Sequence, residues 1–366
     1  MKVLQFGMTA NRGGVESVVM NYAQSLQTRG VVFDYVDLQG VGLAGAEEIR
    51  QRGGTIFTLK KDHRKHPFLA AKQIEQIVRE GGYRCAHINM LSAASPVAVV
   101  SCLRAGAKVI VHAHNTRTVG LHRKILHTVN SVMLSRLPII RLACSTNAGK
   151  WMFGDKAFTV IPNAIHVDKY RFDLEIRKTL RASLEIADET LVMGFVGRLA
   201  YQKNPTYLPQ ILHAVKKQQG PDVKLLIIGD GDLKHELLQV AAYQGVGEDI
   251  IFLGMRDNVA QWYSAMDVLV LPSLFEALPV VGVEAQAAGL PCFLSDRITE
   301  EIILTDLMHL CPLTDSADNW AEAIRAAIGV KPDRCRYADE MKQSNYSLER
   351  SSQLLWDLYT SCHDRE

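Results

Sequence analysis

The sequence predicts an α/β protein built from two Rossmann-like domains, each a doubly wound parallel sheet. Short apolar runs alternate with helical stripes along most of the 366 residues, as they do in βαβ units. This alternating series occurs twice, and the chain is longer than one hydrophobic core usually fills. Two such domains are expected to face each other across a ligand-binding cleft.

The first series starts with an apolar strand at 3–7, which a Gly-Gly pair separates from a helical stripe at 15–26. Apolar or β-branched runs predict further strands at 33–36, 55–59, 86–89, 108–112, 142–144 and 158–160. A Pro-Asn turn then leads into a charged connecting stretch that reaches about Glu189. We therefore predict an N-terminal domain over residues 1–166.

The second series has the same form. Strands are predicted at 192–196, 224–228, 250–253, 268–271 and 291–294, with helices near 205–217, 233–243, 259–265 and 280–288. These elements define a predicted C-terminal domain over 167–345. The remaining residues, 346–366, contain a helix with apolar positions for packing back, and the N-terminal domain is the candidate surface for it.

Composition narrows the class of protein. The seven cysteines are scattered, with no Cys-x-x-Cys and no Cys/His cluster, which indicates a reducing cytoplasm and no structural metal. The chain enters its first strand directly rather than through a signal peptide, and no apolar run approaches the ~20 residues of a membrane span. We expect a cytoplasmic protein.

The net charge of +2 conceals an asymmetry. Residues 1–165 hold 21 Lys+Arg and 9 Asp+Glu, or +12, and the remaining residues hold 20 and 30, or −10. A basic half attracts nucleic acid, an anionic membrane surface or an anionic acceptor. We expect no nucleic-acid partner because no binding motif of that class is present.

Two acids mark the candidate site. Glu276 and Glu284 follow the apolar run 268–271, and Pro279 between them suits the first turn of a helix. The free N–H groups of Val280 and Val281 at that helix start favour a phosphate, and the carboxylates suit sugar hydroxyls. Alternatively, Glu276 only stabilises the helix start and Glu284 is solvated.

Two cations follow the first strand of the second series. Arg198 and Lys203 flank a loop at the predicted carboxyl end of strand 192–196, where they suit a diphosphate; solvated loop charges are the alternative. In the first series, Gly13 and Gly14 allow backbone to approach a phosphate, although on its own a plain tight turn is the better interpretation of the pair.

Histidines follow the strand at 108–112. His112 and His114 lie on one side of a continuing strand, but the local sequence offers no third metal ligand. His87 and Asn89 form a similar pair one strand earlier. His114 is the strongest functional candidate because of its position at a strand end, and a satisfied interior histidine is the alternative.

These motifs occur in the order and spacing of family-4 glycosyltransferases, which the chain resembles over nearly its whole length. It is most similar to the exopolysaccharide and capsular-polysaccharide members. The segments that carry the resemblance are 13–16, 112–115, 161–164, 196–205, 228–231, 252–254, 275–285 and 289–292. The Glu-x7-Glu segment with its upstream Arg and Lys is the most specific of them.

The resemblance implies a GT-B fold and retaining transfer of a sugar from a nucleotide sugar, with no metal in the active site and no cofactor. Arg198 and Lys203 would hold the diphosphate, Glu284 the ribose and Glu276 the donor sugar. His114 would sit against the transferred sugar and completes the catalytic group with Glu276, Arg198 and Lys203. The other donor-binding positions would be Gly13, Gly14, Gly197, Leu278, Pro279 and Val280, the last three in the loop 277–280.

The predicted activity is transfer of a hexose or N-acetylhexosamine, most simply from a UDP-sugar, to a hydroxyl of a lipid-linked or oligosaccharide acceptor. Because both glutamates serve donor binding, neither is left as a nucleophile, and we expect the leaving phosphate to take the acceptor proton. A sugar-nucleotide epimerase and a non-catalytic partner of another transferase remain alternatives. A nicotinamide oxidoreductase would need a GxGxxG motif after the first strand, and the sequence lacks it.

The segment 121–136 mixes aliphatic and basic residues, as membrane-surface helices do. Its aliphatic positions are Leu121, Ile125, Val129, Val132 and Met133. A second basic cluster lies at 60–66. Together they predict peripheral attachment of the basic half to the inner face of the cytoplasmic membrane. An ordinary helix with its apolar stripe in the core is the alternative.

Overall fold

The computed structural model describes residues 1–11, 13–276, 278–328 and 333–364. The chain forms two compact units. Unit 1 comprises Met1–Ile165 with Leu348–Glu366, and unit 2 comprises His166–Ser347.

Unit 1 contains a seven-stranded sheet in which every neighbouring pair of strands is parallel. Its strands are β1 (Lys2–Phe6), β2 (Val32–Asp37), β3 (Ile56–Thr58), β4 (Cys85–Met90), β5 (Lys108–Ala113), β6 (Ile139–Ala143) and β7 (Thr159–Val160), in the order β3-β2-β1-β4-β5-β6-β7. The helices between them are α1 (Gly14–Gln27), α2 (Ala46–Gln51), α3 (Pro67–Glu80), α4 (Val97–Arg104), α5 (Leu121–Arg136) and α6 (Thr146–Phe153).

Unit 2 repeats the plan with a six-stranded parallel sheet. Its strands are β8 (Leu191–Val196), β9 (Val223–Ile228), β10 (Ile250–Gly254), β11 (Val268–Leu271), β12 (Cys292–Ser295) and β13 (Met308–Cys311), in the order β10-β9-β8-β11-β12-β13. Its helices are α7 (Leu174–Ser183), α8 (Leu208–Lys217), α9 (Lys234–Tyr243), α10 (Val259–Ala265), α11 (Val280–Ala287), α12 (Ala317–Ile328) and α13 (Arg334–Lys342). The last helix of the chain, α14 (Leu348–His363), belongs to unit 1 and packs on α1.

The predicted fold class is confirmed. Both sheets reverse strand order beside their first strand, which is the switch point of doubly wound folds and the usual place for a ligand. Strands such as β8, β11 and β12 are buried on both faces, so their sequences are short, predominantly apolar runs. This is why short apolar segments predicted them well.

The prediction placed a charged connecting stretch up to about Glu189 and gave no helix there. The structure has helix α7 within this stretch. Asp173 caps this helix, and its carboxylate accepts hydrogen bonds from the N–H groups of Glu175 and Ile176 at 2.9 Å. Arg177 and the fully buried Arg181 both pair with Asp267, which precedes β11. Some of the charges in the predicted connecting stretch therefore anchor a helix. Strand β13 was also missed.

The exposure of side chains on helix α5 decides whether its aliphatic stripe lies in the core or faces solvent. Leu121, Ile125, Val129 and Val132 are exposed, and the buried residues of the helix are His127 and Leu134. The interpretation that the aliphatic stripe lies in the core is wrong. Within the described residues, no helix is both long enough and apolar enough to cross a bilayer.

Gly229, in the loop after β9, allows that loop to approach the loop after β8. Its φ is +133°, and a Cβ atom there would lie 2.0 Å from the carbonyl oxygen of Gly197. We expect Gly229→Ala to lower the free energy of unfolding by roughly 3 kcal/mol, because backbone strain and overlap with a main-chain atom add. Denaturant unfolding measures the loss.

Gly245→Ala is the matched control for Gly229→Ala. Gly245 has a φ of +67°, yet a Cβ there meets nothing within 4 Å. Its replacement carries only the conformational cost of about 1 kcal/mol. Equal losses for the two variants would contradict the steric account.

Candidate functional site

The predicted donor residues of unit 2 lie in the loops after β8 and β11, at the start of α11 and, for Glu284, one turn into that helix. β8 and β11 are neighbours in the sheet, with Val268 opposite Met193. The loops that follow them therefore emerge side by side, at the point where strand order reverses. Residues about 75 positions apart in sequence become neighbours in this way.

Lys203 and Glu276 form the centre of this group. Nζ of Lys203 lies 2.5 Å from Oε1 of Glu276, and both side chains are largely buried. Oγ of Ser273 donates to the same carboxylate oxygen at 3.0 Å. These two contacts account for the position of Glu276. The alternative, in which Glu276 only stabilises the helix start, is not needed to explain it.

Gln202 connects the two loops. Its carbonyl accepts a hydrogen bond from the N–H of Leu274 at 2.8 Å, and its Nε2 donates to the carbonyl of Phe275 at 3.1 Å. The same amide reaches Oε2 of Glu276 at 3.4 Å. Through its main chain and its side chain, Gln202 thus holds the loop of Glu276 against the loop of Lys203.

Arg198 differs from Lys203. It is exposed, and no described residue accepts a hydrogen bond from its guanidinium or pairs with it. The main chain around it is nevertheless fixed, because the N–H of Leu199 donates to the carbonyl of Asp230 at 2.9 Å. A guanidinium that has no partner among the described residues can bind an anionic ligand without breaking a protein hydrogen bond.

Glu284 is held by two tyrosines. The hydroxyl of Tyr170 donates to its Oε1 at 2.8 Å, and the hydroxyl of Tyr263 donates to its Oε2 at 2.7 Å. Burial raises the pKa of Glu284, and the two hydroxyl donors partly oppose this rise. The predicted alternative of a solvated Glu284 is wrong. A carboxylate has about four acceptor positions, so two remain for a ligand.

Helix α11 begins at Val280, where the predicted helix 280–288 begins, but Pro279 is placed differently from the prediction. Pro279 precedes the helix as its N-cap, with φ −73° and ψ 115°, rather than lying in its first turn. Val280 and Val281 occupy the first two helical positions, where N–H groups have no intrahelical acceptor. Leu278 is buried, and Ala277 lies outside the described residues.

The predicted glycines differ in what a side chain at each position would contact. Gly197 has φ +153°, and a Cβ there would touch the Lys203 side chain at 3.5 Å. Gly13 is the N-cap of α1, and a Cβ on it would lie 3.0 Å from Glu16. A Cβ on Gly14 would meet nothing within 4 Å. Gly14 therefore borders open space, so a glycine there is not required by the packing of unit 1 itself.

His114 follows β5 in unit 1 and belongs to a buried polar network. Its Nε2 lies 2.9 Å from Oδ1 of Asn89, whose amide N–H groups donate to Gln5 and to the carbonyl of Phe6. Oδ1 of Asn89 must therefore accept, and His114 carries its proton on Nε2. Its Nδ1 is buried without a hydrogen-bond partner in the described part of the chain. That lone pair can accept a ligand hydroxyl.

His87 and His112 continue the network. Nε2 of His112 donates to the carbonyl of Ile161 at 3.2 Å, so its Nδ1 accepts from Nε2 of His87 at 3.3 Å. Nδ1 of His87 in turn accepts from the hydroxyl of Tyr359, on α14, at 2.6 Å. All three imidazoles are thus neutral. For His87 and His112 this is the interior, hydrogen-bonded role that the sequence left open.

Acid is expected to destabilise unit 1 through these histidines. Burial lowers the pKa of His114 from 6.5 to about 4, against a smaller opposite effect of Asn163, and lowers that of His87 to about 3. Between pH 6.5 and these values the unfolded chain binds protons that the folded chain does not, so stability falls as pH falls. At about pH 5.5 each histidine costs roughly 1 kcal/mol.

Urea unfolding at about pH 7.5 and about pH 5.5 measures this loss. His114→Gln is expected to reduce the acid-induced loss by roughly 1 kcal/mol, because one buried proton acceptor is gone. His235→Gln, at an exposed position on α9, is the matched control and is expected to change nothing. An unchanged pH dependence in His114→Gln would contradict the prediction.

Sequence reasoning missed Gln202, Ser273, Tyr170 and Tyr263. Gln202 adjoins Lys203 and Ser273 opens the loop of Glu276, so adjacency to a predicted residue was the available signal. The tyrosines gave none, since they approach Glu284 from a 3₁₀ turn at 167–170 and from α10. Across the described residues, no three His, Cys, Asp or Glu side chains are grouped to hold a metal ion.

Two family models match this chain. Residues 12–169 match the model described as Glycosyltransferase Family 4, and residues 190–329 match the model described as Glycosyl transferases group 1. Together they span most of both units. The chain is 29% identical to the putative glycosyltransferase EpsF of Bacillus subtilis, over 100% of this chain and 98% of that protein.

Other relatives match in part. The UDP-Gal:alpha-D-GlcNAc-diphosphoundecaprenol alpha-1,3-galactosyltransferase of Escherichia coli is 32% identical over 38% of this chain and 36% of its own length. Among solved structures, Anabaena Alr3699/HepE in complex with UDP superposes with a TM-score of 0.79 at 19% identity, covering 99% of this chain and 100% of that one. This similarity extends over both units and supports the same fold.

Proposed function

Since the chain belongs to glycosyltransferase family 4, we propose that it moves a hexose or N-acetylhexosamine from a nucleotide sugar to an acceptor hydroxyl with retention of configuration. One observation carries the proposal: Lys203 and Glu276 form an ion pair where the loops after β8 and β11 meet, and the same two segments carry Arg198, the start of α11 and, one turn into that helix, Glu284. Cations for a diphosphate and acids for hydroxyls are thus combined, as a nucleotide sugar requires.

Each residue then has a distinct task. Arg198 and Lys203 neutralise the diphosphate, whose charge increases as the glycosidic bond breaks. Glu276 accepts from hydroxyls of the donor sugar, and Glu284 accepts from the ribose. Because Lys203 already contacts Glu276, sugar and phosphate would bind at adjoining points of one preformed site.

The chemical step uses no protein nucleophile. The bond between the anomeric carbon and the β-phosphate oxygen breaks, and the acceptor oxygen bonds to the same face of that carbon. The proton of the acceptor hydroxyl passes to the departing phosphate, which keeps the balance of atoms and charge. His114 offers its Nδ1 lone pair to a hydroxyl of the transferred sugar. The scheme assigns charge neutralisation to cationic side chains, so we expect turnover to persist in EDTA.

The donor and acceptor are proposed from the relatives. Alr3699/HepE has been solved with UDP and with UDP-glucose, and the E. coli relative is named for a UDP-galactose donor and a diphosphoundecaprenol-linked acceptor. We accordingly favour a UDP-sugar, with GDP-mannose next, and a lipid-linked glycan in surface polysaccharide synthesis. The basic half of the chain favours a position at the inner face of the cytoplasmic membrane.

A panel of UDP- and GDP-sugars tests the proposal. Thermal shift identifies the nucleotide sugar that binds, and nucleotide release with and without a glycan acceptor measures transfer. We expect one UDP-sugar to be consumed in an acceptor-dependent reaction. Acceptor-independent conversion into another nucleotide sugar would identify an epimerase, and binding without turnover would identify a non-catalytic partner.

A further inference from the structure

Helix α5 presents its apolar side to solvent. Leu121, Ile125, Val129 and Val132 are each between 51% and 76% exposed. At 100° per residue they fall within an arc of about 80°. The surface helices of globular proteins normally turn such a stripe toward the core. The outward apolar stripe of α5 therefore lacks a partner in the described part of unit 1.

The inner side of α5 is fixed by polar contacts. His127 stacks on Trp151 with ring centroids 3.8 Å apart and an interplanar angle of 10°. Its Nδ1 accepts from the N–H of Ala93 at 3.1 Å, and its Nε2 donates to the carbonyl of Trp151 at 3.2 Å. Asn130 donates to the carbonyl of Ala94 at 3.3 Å. Rolling the helix to bury its aliphatic stripe would break these bonds, so the orientation is specified.

The surroundings of the stripe are cationic. Lys124 borders the stripe, about 60° around the helix from Leu121, and Arg136 continues it one turn beyond Val132; both cations are exposed. The sequence from 81 to 154 contains nine Lys and Arg and no Asp or Glu. A protein surface of this composition complements a layer of negative charge.

Further exposed apolar residues lie at the same end of unit 1. Phe68 begins α3, Leu91 follows β4, and Val119 precedes α5. Each follows the carboxyl end of a strand, and parallel strands place those ends along one edge. Right-handed crossovers also put α3 and α5 on the same face of the sheet. The exposed cations Lys60, Lys61, Arg64 and Lys65 lie just before α3.

We propose that this docking surface, the α5 stripe with Phe68, Leu91 and Val119, inserts its aliphatic side chains shallowly into an anionic phospholipid bilayer. Helices that lie in a membrane interface combine an apolar face with flanking Lys and Arg in this manner. The cations suit anionic lipid headgroups, and the aliphatic side chains suit the acyl chains beneath them. The idea that this surface brings the protein to a lipid-linked acceptor rests on the proposed function, whereas the expected binding to vesicles does not.

Co-sedimentation with phosphatidylethanolamine vesicles, with and without phosphatidylglycerol, tests the proposal. The full chain is expected to sediment with the anionic vesicles and to be released by high salt. The double variant Ile125→Ser/Val129→Ser is expected to bind roughly tenfold or more weakly. Its thermal unfolding is expected to match that of the unmodified chain, because both side chains are exposed.

The matched control is Leu238→Ser/Tyr243→Ser, which removes exposed apolar side chains from α9 in unit 2. It is expected to bind vesicles like the unmodified chain. Equal vesicle binding by the α5 variant, or salt-insensitive binding to neutral vesicles, would overturn the proposal. So would capture of another protein that the α5 variant loses while it still binds vesicles.

Activity separates this inference from the proposed function. With a water-soluble glycan acceptor, the α5 variant is expected to keep its nucleotide release. Loss of vesicle binding with retained turnover supports the docking surface. A chain that binds vesicles through α5 but shows no transfer with any nucleotide sugar would support docking and contradict the proposed reaction.

Discussion

Replacing Arg198 by alanine is expected to lower kcat for sugar transfer about 100- to 1,000-fold, the usual cost of removing one donor that stabilises developing negative charge. Arg198 is exposed just after β8, and its side chain makes no hydrogen bond or ion pair with the described residues, so its removal leaves no buried partner unsatisfied. The thermal unfolding temperature should therefore stay unchanged. Initial rates at saturating donor and acceptor measure the effect.

The control for Arg198→Ala is Lys217→Ala, which removes an exposed cation from the end of α8, at the opposite edge of the same sheet. It should keep full turnover. Lys203→Ala is a less direct test because it also deprives the largely buried Glu276 of its ion pair. Wild-type kcat in Arg198→Ala would show that this guanidinium does not stabilise the leaving diphosphate.

Glu276→Gln and Glu284→Gln are expected to affect different steps. Glu276→Gln should lower kcat about tenfold or more and weaken discrimination between sugars, while leaving the Kd of UDP unchanged because UDP lacks the donor sugar that Glu276 contacts. Glu284→Gln should raise the Kd of UDP about tenfold, since a charged acceptor for the ribose is replaced by a neutral one. Calorimetric titration with UDP and kinetics with the nucleotide sugar separate the two effects.

Glu322→Gln, at an exposed position on α12, controls for the loss of a carboxylate and should be silent in both measurements. Tyr263→Phe adds a second check on Glu284, because it removes one of its two hydroxyl donors and keeps the ring. It should raise the Kd of UDP less than Glu284→Gln does. Identical kinetic profiles for Glu276→Gln and Glu284→Gln would refute the separate roles of the two acids.

The fold class could be predicted because parallel strands buried on both faces leave a simple signal. β8, β11 and β12 are fully buried, and each is a short, predominantly apolar run followed by a loop or turn. β13 was missed because its sequence, Met-His-Leu-Cys, has a half-buried histidine in the middle. The charged helix α7 was missed because its arginines pair with Asp267, about 90 residues later in the chain.

The sequence by itself determined the candidate donor residues, their side-chain chemistry and their placement at strand ends, because motif spacing and apolar runs are local properties. Only the tertiary structure decided what surrounds them. It brings Gln202 and Ser273 to Glu276 and two tyrosines to Glu284, and it turns the aliphatic stripe of α5 outward. Hydrogen bonds between distant segments and the choice of the buried helix face depend on which elements become neighbours. Chain topology and packing decide that, and no short stretch of sequence records it.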